Sequence, residues 1–195
     1  MTTRQEQAQR RRAQLIDAAL VVFARKGVDG TSVKDIAQAA AVTPGLLYHY
    51  FDSKEDLVAA VLEERGFLPQ LRALLSERAD QPASVVLPQL IRAFDETLAA
   101  NADVVSVFFS ASHADAALRD FVATGQNVLQ SYLKSRAKAG ELRPELIEAA
   151  ANTLFAAVAI GHKTGRRVNV DELIQLVLNG LATQSPLEAH HVVSV

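Results

Sequence analysis

Thr31-Ser-Val-Lys-Asp-Ile-Ala-Gln-Ala-Ala-Ala-Val-Thr-Pro-Gly-Leu-Leu-Tyr-His-Tyr-Phe51 contains two short runs of helical period separated by a break. Val33, Ile36, Ala37 and Ala40 recur at helical spacing behind Thr31 or Ser32, either of whose hydroxyls can cap the first run. After Ala41 and Val42 the pattern restarts at Thr43-Pro44. This is a capping hydroxyl followed by proline at the first helical position, where its missing N–H costs nothing. Leu47 and Phe51 keep core spacing, while Tyr48 and His49 fall on the outer face. Helix, three-residue break and helix are the proportions of a helix-turn-helix, whose second helix meets the DNA major groove through its N-terminal end. Thr43, Pro44 and Gly45 leave that end's backbone N–H groups little obstructed, which suits approach to a phosphate.

Upstream, Leu15, Ala19, Val22 and Phe23 share one face of a first helix that closes on Arg25, Lys26 and Gly27, the residue favoured for a left-handed cap. Downstream, Ser53 caps a fourth helix with Asp56 three residues on. That helix continues through Leu57 and Val61, kinks near Gly66 and Pro69, and runs on through Leu71, Leu74 and Leu75. Helical spacing persists through Leu87 to Leu98, Leu118 to Arg136, Pro144 to Gly161 and Asp171 to Leu181. Val104 to Phe109 has strand propensity but no partner strand, so it too reads as helix. The expected fold is all-α, with about nine helices. A helix-turn-helix unit over 1–52 (motif 32–51) precedes a helical domain over 53–183, with the helix from Ser53 as connector. The stretch 184–195 has no period and reads as a mobile tail.

Charge is segregated. Residues 1–54 hold eight Lys/Arg against five Asp/Glu, and the remainder twelve against seventeen, so a net −2 conceals a basic end. Arg4, Arg10, Arg11 and Arg12 read either as a frayed, solvated terminus or as phosphate contacts or a minor-groove arm. The absence of cysteine excludes disulfides, thiolate metal sites and a cysteine nucleophile. No Gly-rich phosphate loop, nucleophile elbow, His-Glu-x-x-His helix or spaced carboxylate pair appears, which points away from an enzyme. His190-His191 is half a metal site with nothing to complete it, so no metal and no cofactor is expected. With neither a signal stretch nor a membrane-length apolar run, the expected location is the cytoplasm, without membrane association.

The stretch Thr31 to Phe51, continued by Asp52-Ser-Lys-Glu-Asp-Leu57 and preceded by the helix ending Phe23-Ala-Arg-Lys-Gly27, resembles the TetR family of transcriptional regulators. Carried over residue by residue, the resemblance implies that Thr31, Ser32 and Lys34 meet the DNA backbone. It places Thr43, Pro44, Gly45 and Leu46 at the groove, Tyr48 and His49 on backbone or base edges, and Lys54 on phosphate. Taken singly, Tyr48 and Tyr50 can also be read as core packing, and His49 as merely exposed. Two positions depart from the family pattern. Ala41 stands where glycine is usual, so a positive φ there would carry roughly 1 to 3 kcal/mol of strain. Leu46 replaces a small polar residue, exchanging a hydrogen bond for a thymine-methyl contact.

The resemblance further implies a homodimer on a double-stranded DNA operator, with a small-molecule effector bound in the larger domain. The helices at about 145–161 and 171–182 are apolar on more than one face, and Ala149, Ala150, Ala156, Ala157 and Gly180 permit close approach of a second copy. Phe94, Phe108, Phe109, Phe121 and Phe155, with His113 and His162, are candidates to line the effector cavity, though each also reads as plain core. A DNA-binding architectural protein without a ligand is the alternative.

Overall fold

A computed structural model describes residues 3–110 and 115–182. Its elements are α1 (Arg4–Lys26), α2 (Val33–Ala39), α3 (Pro44–Tyr50), α4 (Lys54–Arg65), α5 (Leu68–Glu77), α6 (Ala83–Ala100), α7 (Ala102–Ser110), α8 (Asp115–Lys138), a 3-10 turn (Pro144–Leu146), α9 (Ile147–Thr164) and α10 (Val170–Leu181). Among the described residues the fold is all-α with no strand, apart from an isolated bridge between Leu142 and Ala182. Among the described residues ten helices stand where about nine were expected, because the kink at Gly66 is a full break. Gly66 has extended backbone there, and a Cβ on it would collide with the Leu62 carbonyl and press on the Phe121 ring.

The basic N-terminal stretch is helical rather than frayed. The Thr3 hydroxyl accepts the Glu6 N–H at 3.2 Å while the Glu6 carboxylate accepts the Thr3 N–H at 3.0 Å, so a capping box starts α1 ahead of all four arginines. Arg12 stacks over the Phe51 ring at 5.1 Å and pairs with Glu64, and Arg65 pairs with Asp17 at 2.7 Å. The two ion pairs run in opposite senses between α1 and α4.

Local chemistry sets the helix-turn-helix. Ser32 caps α2 in a second reciprocal box with Asp35, and the Thr43 hydroxyl accepts the Leu46 N–H with Pro44 at the first position of α3. Between them Ala41 has φ +53°, the left-handed conformation usually given to glycine. Its neighbours hold it there: the Val42 N–H donates to the Ala37 carbonyl at 2.9 Å and the Ala41 N–H to the Gln38 carbonyl at 3.1 Å, the paired bonds of a Schellman turn.

Two hydrophobic clusters organise the chain. The first gathers Leu15, Ile16, Ala19, Phe23, Ile36, Leu47, Phe51 and the inner face of α4 from Leu57 to Leu62. The second joins α5, α6, α8, α9 and α10 around Leu71, Leu87, Leu90, Leu129, Leu154 and Ile174. Helix α7 packs along α1, putting Val107 into the first cluster while the Ser106 hydroxyl donates to the Ala24 carbonyl at 3.3 Å. Arg92 pairs with Asp171 at 2.7 Å and ties α6 to α10.

Candidate nucleic-acid interface and cavity

The candidate reading face is built on α3. Thr43, Pro44, Gly45 and His49 are exposed, Tyr48 is 53% exposed, and Leu46 is half-buried. Leu47 behind them is buried in the first cluster and fixes which face of this short helix turns outward. Tyr50 is half-buried against that cluster, and the His49 ring meets its edge at 5.3 Å.

Around α2 the structure separates the expected backbone contacts. Lys34 and Ser32 are exposed, with the Ser32 hydroxyl donating to Asp35 at 2.6 Å. Asp35 also accepts from Lys26 at 2.7 Å; that bond first, then those from Ser32, hold its carboxyl far below the usual range. Asp35 is thus a fixed anion whose charge is spent within the α1–α2 junction. Two expected contacts have other work. Thr31 is buried, and its hydroxyl donates to the Gly27 carbonyl at 2.7 Å, so its side chain closes the loop after α1. The Lys54 ammonium donates to the carbonyls of Val28 at 3.0 Å and Thr31 at 3.3 Å, so it fastens that loop to the start of α4 instead of standing free for a phosphate.

The second site is a cavity of about 320 Å³. Its floor is the end of α4 and the start of α5: Leu62, Gly66, Phe67, Leu68 and Leu71. Phe94 and Leu98 of α6 and Val104, Val105 and Phe109 of α7 form one wall. Phe121, Val122, Gly125 and Gln126 of α8 form another, and Asn152, Phe155, Ala156, Ala159 and Ile160 of α9 close the circuit. The only polar side chains in this lining are the amides of Gln126 and Asn152, and none is charged. Such a space suits a mostly apolar molecule with one or two polar groups.

Four expected phenylalanines, Phe94, Phe109, Phe121 and Phe155, line this cavity. The Phe108 side chain and His113 lie outside the described residues, as do the tail and His190-His191. His162 is not in the lining. Its imidazole Nε2 sits 2.7 Å from the Asp95 carboxylate with only 6% of the side chain exposed, binding α9 to α6. The floor residues escape sequence reasoning because Leu62, Leu68 and Leu71 have ordinary core spacing. Gly66 and Gly125 were the available signal. Among α8's core-facing positions Gly125 leaves room: a methyl there would meet nothing nearer than the Leu71 side chain, 4.0 Å away.

An exposed recognition helix on a head joined to a hollow helical body defines the class of helix-turn-helix transcriptional regulators. The sequence profile of bacterial regulatory proteins of the tetR family matches residues 15–61. The transcriptional repressor KstR2 of Rhodococcus jostii is 31% identical over 191 residues, spanning 89% of this chain and 92% of that protein. The chain belongs to the TetR family. Among solved structures, the ketosteroid transcriptional regulator KstR2 of Mycobacterium tuberculosis matches with TM-score 0.56 and 25% identity, over 89% of this chain and 96% of that one. FadR of Bacillus subtilis, solved with stearoyl-CoA, shares the fold at TM-score 0.69 and 23% identity, over 86% and 95%. No described helix is long and apolar enough to cross a membrane.

Proposed function

We propose that this protein is a ligand-responsive repressor that binds an inverted-repeat operator as a homodimer and releases it when a small, mostly apolar effector enters the cavity. One observation carries the reading: α4 belongs to both sites. Its inner face from Leu57 to Leu62 packs in the core of the DNA-reading head, and Leu62 in its last turn, with Gly66 just beyond it, is cavity floor. A molecule pressing on that floor bears on the helix to which α1 is clamped through Arg12–Glu64 and Asp17–Arg65. Moving α4 therefore carries the recognition helix with it and changes the separation of the two heads of a dimer.

On DNA, Thr43, Pro44, Gly45, Leu46, Tyr48 and His49 face the major groove, with Ser32 and Lys34 beside the flanking phosphates. Thr31 and Lys54 support this face from behind through the loop they close. The head is assigned to residues 1–52 with α4 as connector, and dimerisation to α9 and α10, where Ile160 (53%) and Leu176 (70%) are exposed. KstR2's description as a repressor favours repression over activation, and the ketosteroid regulator among the structural relatives makes fused-ring apolar compounds the first effectors to try.

The test is a gel shift with purified protein and the DNA flanking its own gene, run across a salt series and then with such compounds added. A specific shift that weakens steeply with salt and is reversed by an apolar compound supports the reading. A shift that no ligand reverses would instead describe an architectural DNA-binding protein.

A further inference from the structure

We infer that the cavity selects an uncharged apolar molecule with one hydrogen-bonding oxygen, which the Gln126 amide reads, and rejects the ionised acid of the same skeleton. The inference deepens the effector reading above and rests on it. Two amides are all the polar chemistry that the lining side chains offer, and they are not equivalent. Asn152 is exposed on α9, where water competes for its hydrogen bonds, whereas Gln126 is half-buried on α8. The Gln126 amide has no hydrogen-bond partner among the described residues, so its N–H groups and its carbonyl are open to a guest. Room for that guest lies beside it. Gly125 borders the same cavity, and a methyl there would stop 4.0 Å short of the Leu71 side chain. A ligand oxygen placed here gains a hydrogen bond partly shielded from water, which a hydrocarbon of the same shape leaves unmade.

Charge meets the opposite treatment, because no lining residue is ionised. Arg65, His162 and Lys163 flank the wall without joining it. Arg65 pairs with Asp17 at 2.7 Å and His162 faces Asp95 at 2.7 Å. Lys163 stays exposed, its ammonium 5.4 Å from the centre of the Phe109 ring. A carboxylate drawn into this space gives up its hydration and finds no cation, a loss that neutral amides do not restore. Size acts in the same direction. A volume of about 320 Å³ equals about ten waters at about 30 Å³ each, enough for a compact ring compound and too little for one that also brings a nucleotide.

The experiment uses the full chain, with the uncharged fluorophore N-phenyl-1-naphthylamine as a reporter that brightens in apolar surroundings. Three compounds of one skeleton compete for it at neutral pH: 2-acetylnaphthalene, 2-isopropylnaphthalene and ionised 2-naphthoate. The ketone should bind about fivefold to tenfold more tightly than the hydrocarbon, and naphthoate at least a hundredfold more weakly than the ketone. Gln126→Leu, of similar volume, should erase the ketone's advantage while the hydrocarbon binds as before, an outcome that a merely deformed cavity would not give. Gln126→Lys supplies the missing cation and should raise naphthoate at least tenfold relative to the ketone. A Gln126→Leu that keeps the ketone's advantage, or a Gln126→Lys that gains nothing for naphthoate, overturns the role of Gln126. Naphthoate that binds wild type as tightly as the ketone overturns the exclusion of charge. Those results leave the cavity standing as an apolar effector site. Failure of the dye and of all three compounds to bind wild type removes that site, and the inference with it.

Discussion

In the N-terminal head, Leu15, Ile16, Phe23, Ile36, Leu57 and Val61 close on one another with essentially no exposure, whereas in the body Phe94, Phe109, Phe121 and Phe155 stop short and leave about 320 Å³ between the helices. Both regions are helical and aliphatic, and they differ in what fills the centre. Close-packed side chains transmit a displacement because they have nowhere to relax, while a void lets its walls move at small cost. The head is therefore suited to being carried as a unit, and the body to yielding when something enters it. Helices α4, α7 and α8 face both ways, α8 through Phe121.

The largest expected effect tests this contrast in packing. Leu57→Ala, in the filled core, should cost about 3 kcal/mol in urea unfolding. Phe155→Ala removes a half-buried ring that already borders the void, and should cost about 1 kcal/mol less despite deleting more atoms. Equal losses would abolish the distinction between the two regions. Next comes the surface of the head: Tyr48→Ala should weaken operator binding about tenfold in a gel shift while leaving the melting temperature within a degree or two, since an exposed ring contributes little to the fold. Unchanged affinity would take Tyr48 off the reading face. Ala41→Gly relieves a left-handed alanine and should stabilise the head by about 1 kcal/mol, seen as a shift in the unfolding midpoint. The smallest effect concerns the body. Gly125→Ala adds a methyl to open cavity space within a helix and should raise stability by a few tenths to about 1 kcal/mol. Gly125→Leu, by filling that space, should abolish uptake of an uncharged apolar fluorophore such as N-phenyl-1-naphthylamine while the gel shift persists.

The head was the more legible region because its determinants are local. Ser32, Thr43-Pro44 and Ser53 each cap a helix within four residues of themselves, and even the strain at Ala41 could be anticipated from the residue in the turn. What a sequence does not show there is how side chains reach across the fold: Lys54 donates to carbonyls 23 and 26 residues back, and Thr31 turns inward. The cavity was legible only through its aromatic residues. A void is the absence of side chains from several helices at one place, so Leu62, Val104 and Gln126 carry no mark of it in the chain. His162, a plausible wall residue by type, found Asp95 on a helix 67 residues away.

Helix α7 has one more consequence, for how the protein is made. Val107 is fully buried among head residues contributed by α1 to α4, and α1 packs along α7. During synthesis the head emerges first but lacks a part of its interior until the chain has grown past Ser110, so the nascent DNA-binding unit exposes an apolar patch on α1 in the interval. A regulator assembled in this order gains its finished head only after the segment that also walls its cavity has been translated.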